Sequence, residues 1–402
     1  MSRRGRLDVA IVGGGVVGTA AALALAKLGL EVALVERAQP ARWRADRPDL
    51  RVYAFAPDNA ALLDAFGIWR EIVSARAQPY RQMRVWDAAG GGELAFDADA
   101  FGRRELGWIV EHGLLVDRLY AALPAAGVRV HCPARVQALE QDDAGVRLQL
   151  DDGIHFEARI ALAADGAEST LRGLAGLKVD RHDYAQRGIV AYVATAQPHQ
   201  DTAWQRFLPG GPLAFLPCTD TAADPPAAKG RRSSIVWTLP ENEATRVLAL
   251  DEADFNGELT QAFDARLGET TLLSTRAAFP LRRQLARDYV QGRVLVLGDA
   301  AHVVHPLAGQ GVNLGLRDVV ALRDGIIAAQ AARADWTTPG RLARWARARK
   351  SDNAMAAHAF DGINRVFSSD AVVATLLRGS LLGFAGRVPP LAQLFWRRAS
   401  GV

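Results

Sequence analysis

Apolar residues occur in two kinds of run along this chain. Short runs rich in Val and Leu, such as 8–12 and 294–297, are typical of strands buried on both faces of a sheet. A longer alanine-rich run that ends at Leu28 predicts a packed helix. Strand, helix and strand follow one another at the start of the chain, which favours an α/β fold built on a parallel sheet.

A glycine-rich segment with three fingerprint glycines follows the first predicted strand. They are Gly13, Gly15 and Gly18, and they lead into the predicted helix, the second predicted strand and Glu36. In a dinucleotide-binding fingerprint the first glycine makes the turn, the second admits the pyrophosphate, and the third lets helix and strand pack closely. A carboxylate placed like Glu36 binds ribose hydroxyls. The pattern predicts a dinucleotide and leaves FAD and NAD open.

A second glycine-rich turn follows the strand predicted at 294–297. Asp299 ends that strand, where its carboxylate can accept hydrogen bonds from ligand hydroxyls. Pro306, Gly309 and Gly311 precede a helix predicted to begin at Val312, whose N-terminal N–H groups would face an electron-rich atom. The alternative is a tight turn between a strand and a packed helix.

A third predicted strand, 160–164, also ends in an acidic residue. Asp165 follows it and precedes Ser169 at a predicted helix start. The carboxylate of Asp165 is placed either to hold a ribose or second nucleotide, or to cap the helix. The sequence leaves both alternatives open.

The middle of the chain predicts a mostly antiparallel sheet. Alternating apolar residues and turn signals recur at 188–194, 211–217 and 234–239. This sheet is the candidate substrate-binding part, and Phe215 and Pro217 are the candidate substrate contacts. Aromatic residues in a sheet more often belong to the core than to a ligand site.

Composition limits the class of protein. The chain has 402 residues, 50% of them hydrophobic, enough for two domains and an appendage. Its net charge of +4 gives no support for nucleic-acid binding. Cys132 and Cys218 match no metal or redox spacing, which favours a reducing compartment, and we expect the cytoplasm. No apolar run reaches the roughly 18 residues of a membrane span.

Two histidines near Asp299 offer another interpretation. His302 and His305 complete the pattern D-x-x-H-x-x-H, and imidazoles near a carboxylate can bind a metal. The spacing spans a turn that contains Pro306, so we expect packing or hydrogen-bonding roles and no metal site. The sequence also lacks a nucleophile elbow and an H-E-x-x-H motif, so a cofactor would have to supply the chemistry.

Three motifs in order carry a family resemblance. GGGVVG with Glu36, AADGAESTLR and GDAAHVVHPLAGQGVNLG together resemble the FAD-dependent aromatic hydroxylases of the para-hydroxybenzoate hydroxylase type. The last motif, with DYAQRGIVAYV and RWARARKSDNAMAAH, is similar to the ubiquinone-biosynthesis hydroxylases of the UbiH, UbiF and VisC type. The resemblance extends from Asp8 to Gly401.

The resemblance implies a fold and its division. We expect an α/β protein with a Rossmann-like FAD/NAD(P)-binding domain, an inserted, mostly antiparallel β-sheet substrate domain and a C-terminal helical region. The FAD-binding domain would comprise 1–75, 105–178 and 280–330, the substrate domain 76–104 and 179–279, and the helical region 331–402.

The resemblance also implies a role for each candidate site residue. Glu36 and the three fingerprint glycines would bind the ADP half of FAD, and Arg51 would lie near the flavin. Asp165 would serve FAD and a passing nicotinamide nucleotide, and Asp299 would hold the ribityl chain. The residues expected to line the isoalloxazine ring are Pro306, Gly309, Gln310, Gly311, Val312 and Asn313.

One segment departs from the family pattern. Relatives commonly have VEN followed shortly by Leu-Gln, whereas this chain has Val110-Glu111-His112 and then Leu115-Val116. Compared with the family it resembles, the chain is therefore expected to lack one glutamine contact to the cofactor.

The implied activity is hydroxylation of a polyprenylated phenol or benzoquinol ring in ubiquinone biosynthesis. Reduced flavin would react with dioxygen to give a hydroperoxide on ring carbon 4a, and NAD(P)H is the expected electron donor. Basic residues at 341–350 and beside the apolar segment 388–396 suit a peripheral contact with the inner membrane or docking to other enzymes of the pathway, or form a solvated helix face. The alternatives are a hydroxylase of soluble aromatics and a non-catalytic FAD-binding subunit.

Overall fold

The computed structural model describes residues 6–88, 90–222, 224, 229–305 and 311–368. Pro306, Gly309 and Gln310, which we expect to face the flavin, lie outside the described residues, as does the apolar segment 388–396. The expectations for these residues therefore stay predictions.

Strands and helices alternate along the described residues. In chain order the strands are β1 (Leu7–Val12), β2 (Val32–Val35), β3 (Val52–Phe55), β4 (Ala77–Tyr80), β5 (Gln82–Asp87), β6 (Gly90–Asp97), β7 (Gly107–Glu111), β8 (Arg129–His131), β9 (Val136–Gln141), β10 (Val146–Leu150), β11 (His155–Ala163), β12 (Val179–Thr195), β13 (Thr202–Leu208), β14 (Gly211–Pro217), β15 (Arg232–Pro240), β16 (Thr270–Leu272), β17 (Ala277–Ala286), β18 (Val290–Gln291), β19 (Val294–Val296) and β20 (His302–Val303). The helices are α1 (Val16–Ala26), α2 (Pro57–Ala65), α3 (Trp69–Arg76), α4 (His112–Ala122), α5 (Thr170–Leu174), α6 (Glu241–Ala249), α7 (Glu252–Ala262), α8 (Gly311–Ala331) and α9 (Pro339–Ser368).

The first sheet has a parallel centre in the order β19-β11-β1-β2-β8. Val12 at the end of β1 lies opposite Val35 of β2 and Ala163 of β11, and Val296 of β19 lies opposite Ala163. Because the carboxyl ends of parallel strands meet at one edge of a sheet, the loops after these four strands are neighbours. Every acidic residue expected in the site follows one of these strands.

The apolar composition of these strands reflects burial on both faces. Ile11 and Leu34 are fully buried, and α1 packs against α4 and α8. The hydrophobic core of this part of the chain therefore supports the loops at the carboxyl edge of the sheet.

The second sheet has the order β20-β17-β12-β15-β14-β13-β5-β6, with β16 beside β12. Only the β13–β5 pair is parallel, so the predicted antiparallel character is confirmed. Helices α6 and α7 cover one face through a core that includes Phe255 and Phe263. The other face packs on a third sheet, β3-β7-β4, through Tyr192, Leu216 and Ile109.

The predicted fold class is confirmed: a parallel sheet with helices, a mostly antiparallel sheet and a C-terminal helix are all present. The domain boundaries stay predictions. Strand β17 crosses the proposed boundary at residue 280, and β20 pairs with β17 in the second sheet.

The basic segment at 341–350 lies within α9. Arg344, Arg347 and Lys350 are exposed on it, whereas Arg349 is buried. Of the helices in the described ranges, none combines the length and the apolar character needed to cross a bilayer.

Candidate functional site

The three fingerprint glycines have three different environments. Gly13 has a φ of 108°, which favours glycine. A Cβ on Gly18 would lie 1.9 Å from the carbonyl oxygen of Gly13, so α1 can approach this turn only because Gly18 has no side chain. A Cβ on Gly15 would have no atom within 4 Å, so this position opens into free space.

Helix α1 begins at this opening. Gly15 is its N-cap, and its first turn carries no acidic side chain. The unpaired N–H groups and the positive end of the helix dipole make such an N-terminus favourable for an anion.

Glu36 organises the same loop from the end of β2. Its carboxylate accepts hydrogen bonds from the backbone N–H groups of Gly14 at 2.6 Å and Ala38 at 3.1 Å. The carboxylate therefore lies directly beside the glycine turn, where a ribose would reach it.

Asp165 caps α5. Its carboxylate accepts hydrogen bonds from the backbone N–H groups of Thr170 at 2.7 Å and Leu171 at 3.2 Å, and from the hydroxyl of Ser169. Ser169 is the N-cap residue and accepts from the Arg172 N–H. Capping, one of the two alternatives, is therefore present, and a nucleotide contact by Asp165 stays a prediction.

Asp299 lies in a short 3-10 turn after β19. Its half-buried carboxylate has no hydrogen bond or ion pair with any residue that the structure describes. An acceptor without a protein partner at a strand end is available to ligand hydroxyls.

The turn before Asp299 is held by a buried carboxylate of α8. Asp318 accepts hydrogen bonds from the Gly298 N–H at 3.1 Å, His302 Nε2 at 2.6 Å and Arg349 Nε at 2.8 Å. Asn353 Nδ2 donates a further bond at 2.9 Å. Helix α9 is thus tied to α8 and to the Asp299 turn.

The neighbouring His302 and Arg349 keep the Asp318 carboxylate ionised. Burial alone would raise the pKa of Asp318, but His302 and Arg349 outweigh burial and lower the pKa below its usual value. The imidazole of His302 is committed to Asp318, which leaves it unavailable as a metal ligand through Nε2. Within the described part of the chain, no cluster of three or more His, Cys, Asp or Glu is arranged to hold a metal.

A tyrosine and a histidine line the same cleft as Asp299. The Tyr53 hydroxyl lies 3.0 Å from His112 Nδ1, and the two rings meet edge to face. The guanidinium of Arg51 lies 5.3 Å from the centroid of the Tyr53 ring. Burial, and then the positive charge of Arg51, lower the pKa of His112 to about 4, so its imidazole is neutral at pH 7.

Glu36, Asp165, Asp299, Tyr53 and His112 border one cleft of about 540 Å3 at the carboxyl edge of the first sheet. The predicted site residues that line the cleft are Gly13, Gly15, Glu36, Arg51, Asp165, Asp299 and Val312. Tyr53, which the sequence patterns did not single out, also lines it, as do His112 and Val116 of the segment that departs from the family pattern. Gly18 supports the cleft from behind through its packing on Gly13.

The side chain of Asn313 belongs to a buried hydrogen-bond network, and its contact with the flavin stays a prediction. Its amide oxygen accepts from the backbone N–H of Ala56 at 3.0 Å and from Asn59 Nδ2 at 2.9 Å, and its amide nitrogen donates to the Ala54 carbonyl at 2.8 Å. The side chain is fully buried and joins α8 to β3 and α2, and it is not part of the cleft wall formed by the described residues.

Phe215 and Pro217 are also placed away from the cleft. Phe215 is fully buried and stacks on Phe263 of the segment after α7, with ring centroids 3.8 Å apart. Because side chains alternate along β14, Leu216 faces the third sheet instead. Phe215 is therefore a core residue and not an exposed contact, because α6 and α7 cover the face of β14 on which it lies.

Sequence reasoning missed Tyr53, and it named His112 only as a departure from the family pattern, without its contact to Tyr53. Tyr53 lies two residues after Arg51 on β3, and His112 donates its backbone N–H to the Arg51 carbonyl at 2.9 Å. Residues i and i+2 of a strand share a face, so the position of Tyr53 followed from that of Arg51. The pairing of β3 with β7, which brings His112 beside them, has no local signal in the sequence.

The chain is similar to known flavoproteins along nearly its whole length. The family described as FAD binding domain matches residues 6–350. The ubiquinone hydroxylase UbiL of Rhodospirillum rubrum is 37% identical, over 98% of this chain and 89% of that protein. The 3-demethoxyubiquinol 3-hydroxylase of Escherichia coli is 35% identical, over 98% of both chains. The crystal structure of p-nitrophenol 4-monooxygenase PnpA from Pseudomonas putida has a TM-score of 0.77 at 19% identity, with 98% of both chains covered, which shows likeness of fold.

Proposed function

This chain belongs to the FAD binding domain family, and from that membership we propose that it is an FAD-dependent monooxygenase of ubiquinone biosynthesis. Its substrate would be the aromatic ring of a polyprenylated phenol or benzoquinol intermediate. The observation that carries the proposal is the 35% identity, over 98% of both chains, to an enzyme named 3-demethoxyubiquinol 3-hydroxylase.

The cleft fits the ADP and ribityl parts of FAD. The open position at Gly15 gives a pyrophosphate access to the N-terminus of α1. Arg51 has no ion-pair partner among the described residues and would balance the phosphate charge. Glu36 would bind ribose hydroxyls, and the free carboxylate of Asp299 would accept from ribityl hydroxyls.

Bound FAD would supply the redox chemistry and the reaction with dioxygen. The residues of the chain would bind the cofactor, orient the phenol and keep water away from the reacting atoms. Val312 lies at the cleft in the first turn of α8, so the N–H groups of that turn would stabilise negative charge that develops beside it.

We propose NAD(P)H as the electron donor. The chain has one glycine fingerprint, and the ADP half of FAD would occupy it, so the nicotinamide nucleotide would bind only in passing, beside Asp165 at the cleft edge. Anaerobic stopped-flow mixing of the FAD-loaded protein with NADPH or NADH should bleach the flavin absorbance when a substrate quinol analogue is present. A flavin that stays oxidised with both nucleotides would contradict this donor.

We also propose that the C-terminal region contacts anionic membranes, because a polyprenylated substrate resides in the bilayer. Arg344 and Arg347 are exposed one turn apart on α9, and neither has an ion pair within the described residues. An Arg344→Gln/Arg347→Gln variant should sediment less with phosphatidylglycerol vesicles than the unmodified protein, while neither should bind phosphatidylcholine vesicles. If the variant and a chain shortened by residues 387–402 both sedimented with these vesicles as much as the unmodified protein, the membrane contact would be contradicted.

Quinone profiling by mass spectrometry tests the proposed pathway. A strain that lacks this gene, and has no second hydroxylase of the same position, should accumulate one intermediate that lacks a single ring hydroxyl. The wild-type gene should restore ubiquinone, and a Gly15→Ala gene should not. Normal ubiquinone in the deletion strain would contradict the substrate and leave a hydroxylase of soluble aromatics, which NADPH oxidation stimulated by a water-soluble phenol would identify.

A further inference from the structure

Helix α4 presents two residues to the cofactor cleft. His112 begins the helix and Val116 follows four residues later, so both lie on the same face and both line the cleft. The side chain of Val116 offers no hydrogen bond. The face of α4 toward the cleft therefore has one polar side chain left, the imidazole of His112.

The imidazole is held in one orientation from behind. Tyr53, only 8% exposed, places its hydroxyl 3.0 Å from Nδ1 of His112. The strand pairing β3–β7 fixes the backbone of both residues, since the His112 N–H also donates to the Arg51 carbonyl. The remaining ring nitrogen, Nε2, makes no hydrogen bond with the described residues and is not among their buried unpartnered atoms, so it is accessible from the cleft.

The surroundings determine the charge of each group, and donation by the tyrosine would determine the tautomer. Burial and the nearby negative charge of Asp299 raise the pKa of the Tyr53 phenol, so it keeps its proton and can donate it to Nδ1. Burial and Arg51 lower the pKa of His112 to about 4, against the opposing charge of Asp49, so the ring carries one proton at pH 7. A neutral imidazole that accepts at Nδ1 bears its proton on Nε2.

We propose that His112 is a cofactor-binding residue, which donates a hydrogen bond from Nε2 to an oxygen of FAD between the pyrophosphate and the flavin ring. Tyr53 is its positioning residue. Asp299, an acceptor, lines the same cleft, so the cleft offers both a donor and an acceptor to a chain of hydroxyl groups. The inference rests on the FAD site of the proposed function and not on the identity of the aromatic substrate.

Titration of the apoprotein with FAD, followed by quenching of flavin fluorescence, tests the contact. Loss of one neutral hydrogen bond should make His112→Ala bind FAD about five- to tenfold more weakly. Tyr53→Phe should weaken binding by a smaller factor. The double variant His112→Asn/Val116→Gln, which places amide donors at both cleft positions of α4, should recover binding to within about twofold. His155→Ala, at an exposed histidine outside the cleft, is the matched control and should bind like the unmodified protein.

A second readout needs no variant. In 15N-labelled apoprotein at pH 7, the His112 ring should show the tautomer protonated at Nε2, and FAD should slow exchange of that proton with water. Equal FAD affinity of His112→Ala and the unmodified protein, or an Nδ1-protonated ring, would overturn the inference. Failure of the unmodified apoprotein to bind FAD would instead overturn the cofactor itself, so the two failures are distinguishable.

Discussion

Substitution of Asp318 by Asn tests the link between α9 and the cofactor turn. Asn has the same shape but no charge, and one of its two acceptor positions becomes a donor. Arg349 would keep a buried charge without its main partner. The N–H2 group of the new amide would replace one of the two oxygens, so it would face either the donors of Gly298 and His302 or the donors of Arg349 and Asn353. Breaking a buried pair in this way costs about 3–5 kcal/mol.

This cost should be visible in a thermal unfolding scan of the apoprotein. With an unfolding entropy of about 0.8 kcal/mol/K for a chain of this length, Tm should fall by roughly 5 °C. The matched control is Asp352→Asn, because Asp352 also bonds Arg349, at 2.7 Å, but is 59% exposed. The control should lower Tm by about 1 °C or less. If both variants lowered Tm equally, the buried network would not contribute the stability assigned to it.

Three further outcomes are expected. Gly15→Ala should keep the Tm of the apoprotein but weaken FAD binding at least tenfold. Gly18→Ala should lower Tm, because its methyl group would lie 1.9 Å from a carbonyl oxygen. An equal loss of Tm in both variants would be inconsistent with the open space at Gly15. Asp299→Ala should weaken FAD binding in calorimetric titration, and an unchanged Kd would exclude the ribityl contact. Burial lowers the pKa of His305 to about 4, against the opposing charge of Asp361, so the unfolded chain binds a proton that the folded chain does not. The free energy of unfolding should therefore fall as pH drops from about 6.5 toward 4, by up to about 1.4 kcal/mol per pH unit. In denaturant titrations at several pH values, His305→Gln should reduce this slope. An unaltered slope would refute the contribution assigned to His305.

The parts of the site that could be predicted are those with a local signal. The glycine fingerprint, Glu36 and Asp299 follow apolar strands directly, and parallel strands bring their carboxyl ends to one edge without further information. The order of residues along the chain is therefore enough to place these groups around one cleft.

The parts that could not be predicted depend on contacts between distant segments. Phe215 was assigned to the substrate side because the pattern of β14 shows alternation but not which face α6 and α7 cover. Arg349 belongs to a run of basic residues, yet it is buried, since Asp318 lies opposite it from a helix that is distant in sequence. The pair of Tyr53 and His112 likewise arises from the pairing of two separate strands.

Incorporation of labelled oxygen tests the hydroxylase assignment most directly. Purified FAD-loaded protein would be mixed with NADPH, 18O2 and a short-chain demethoxyubiquinol analogue, and the quinone products would be analysed by mass spectrometry. The proposed function predicts one new ring hydroxyl that carries one 18O atom. A product oxygen that comes from water, or NADPH oxidation without any hydroxylated product, would contradict it.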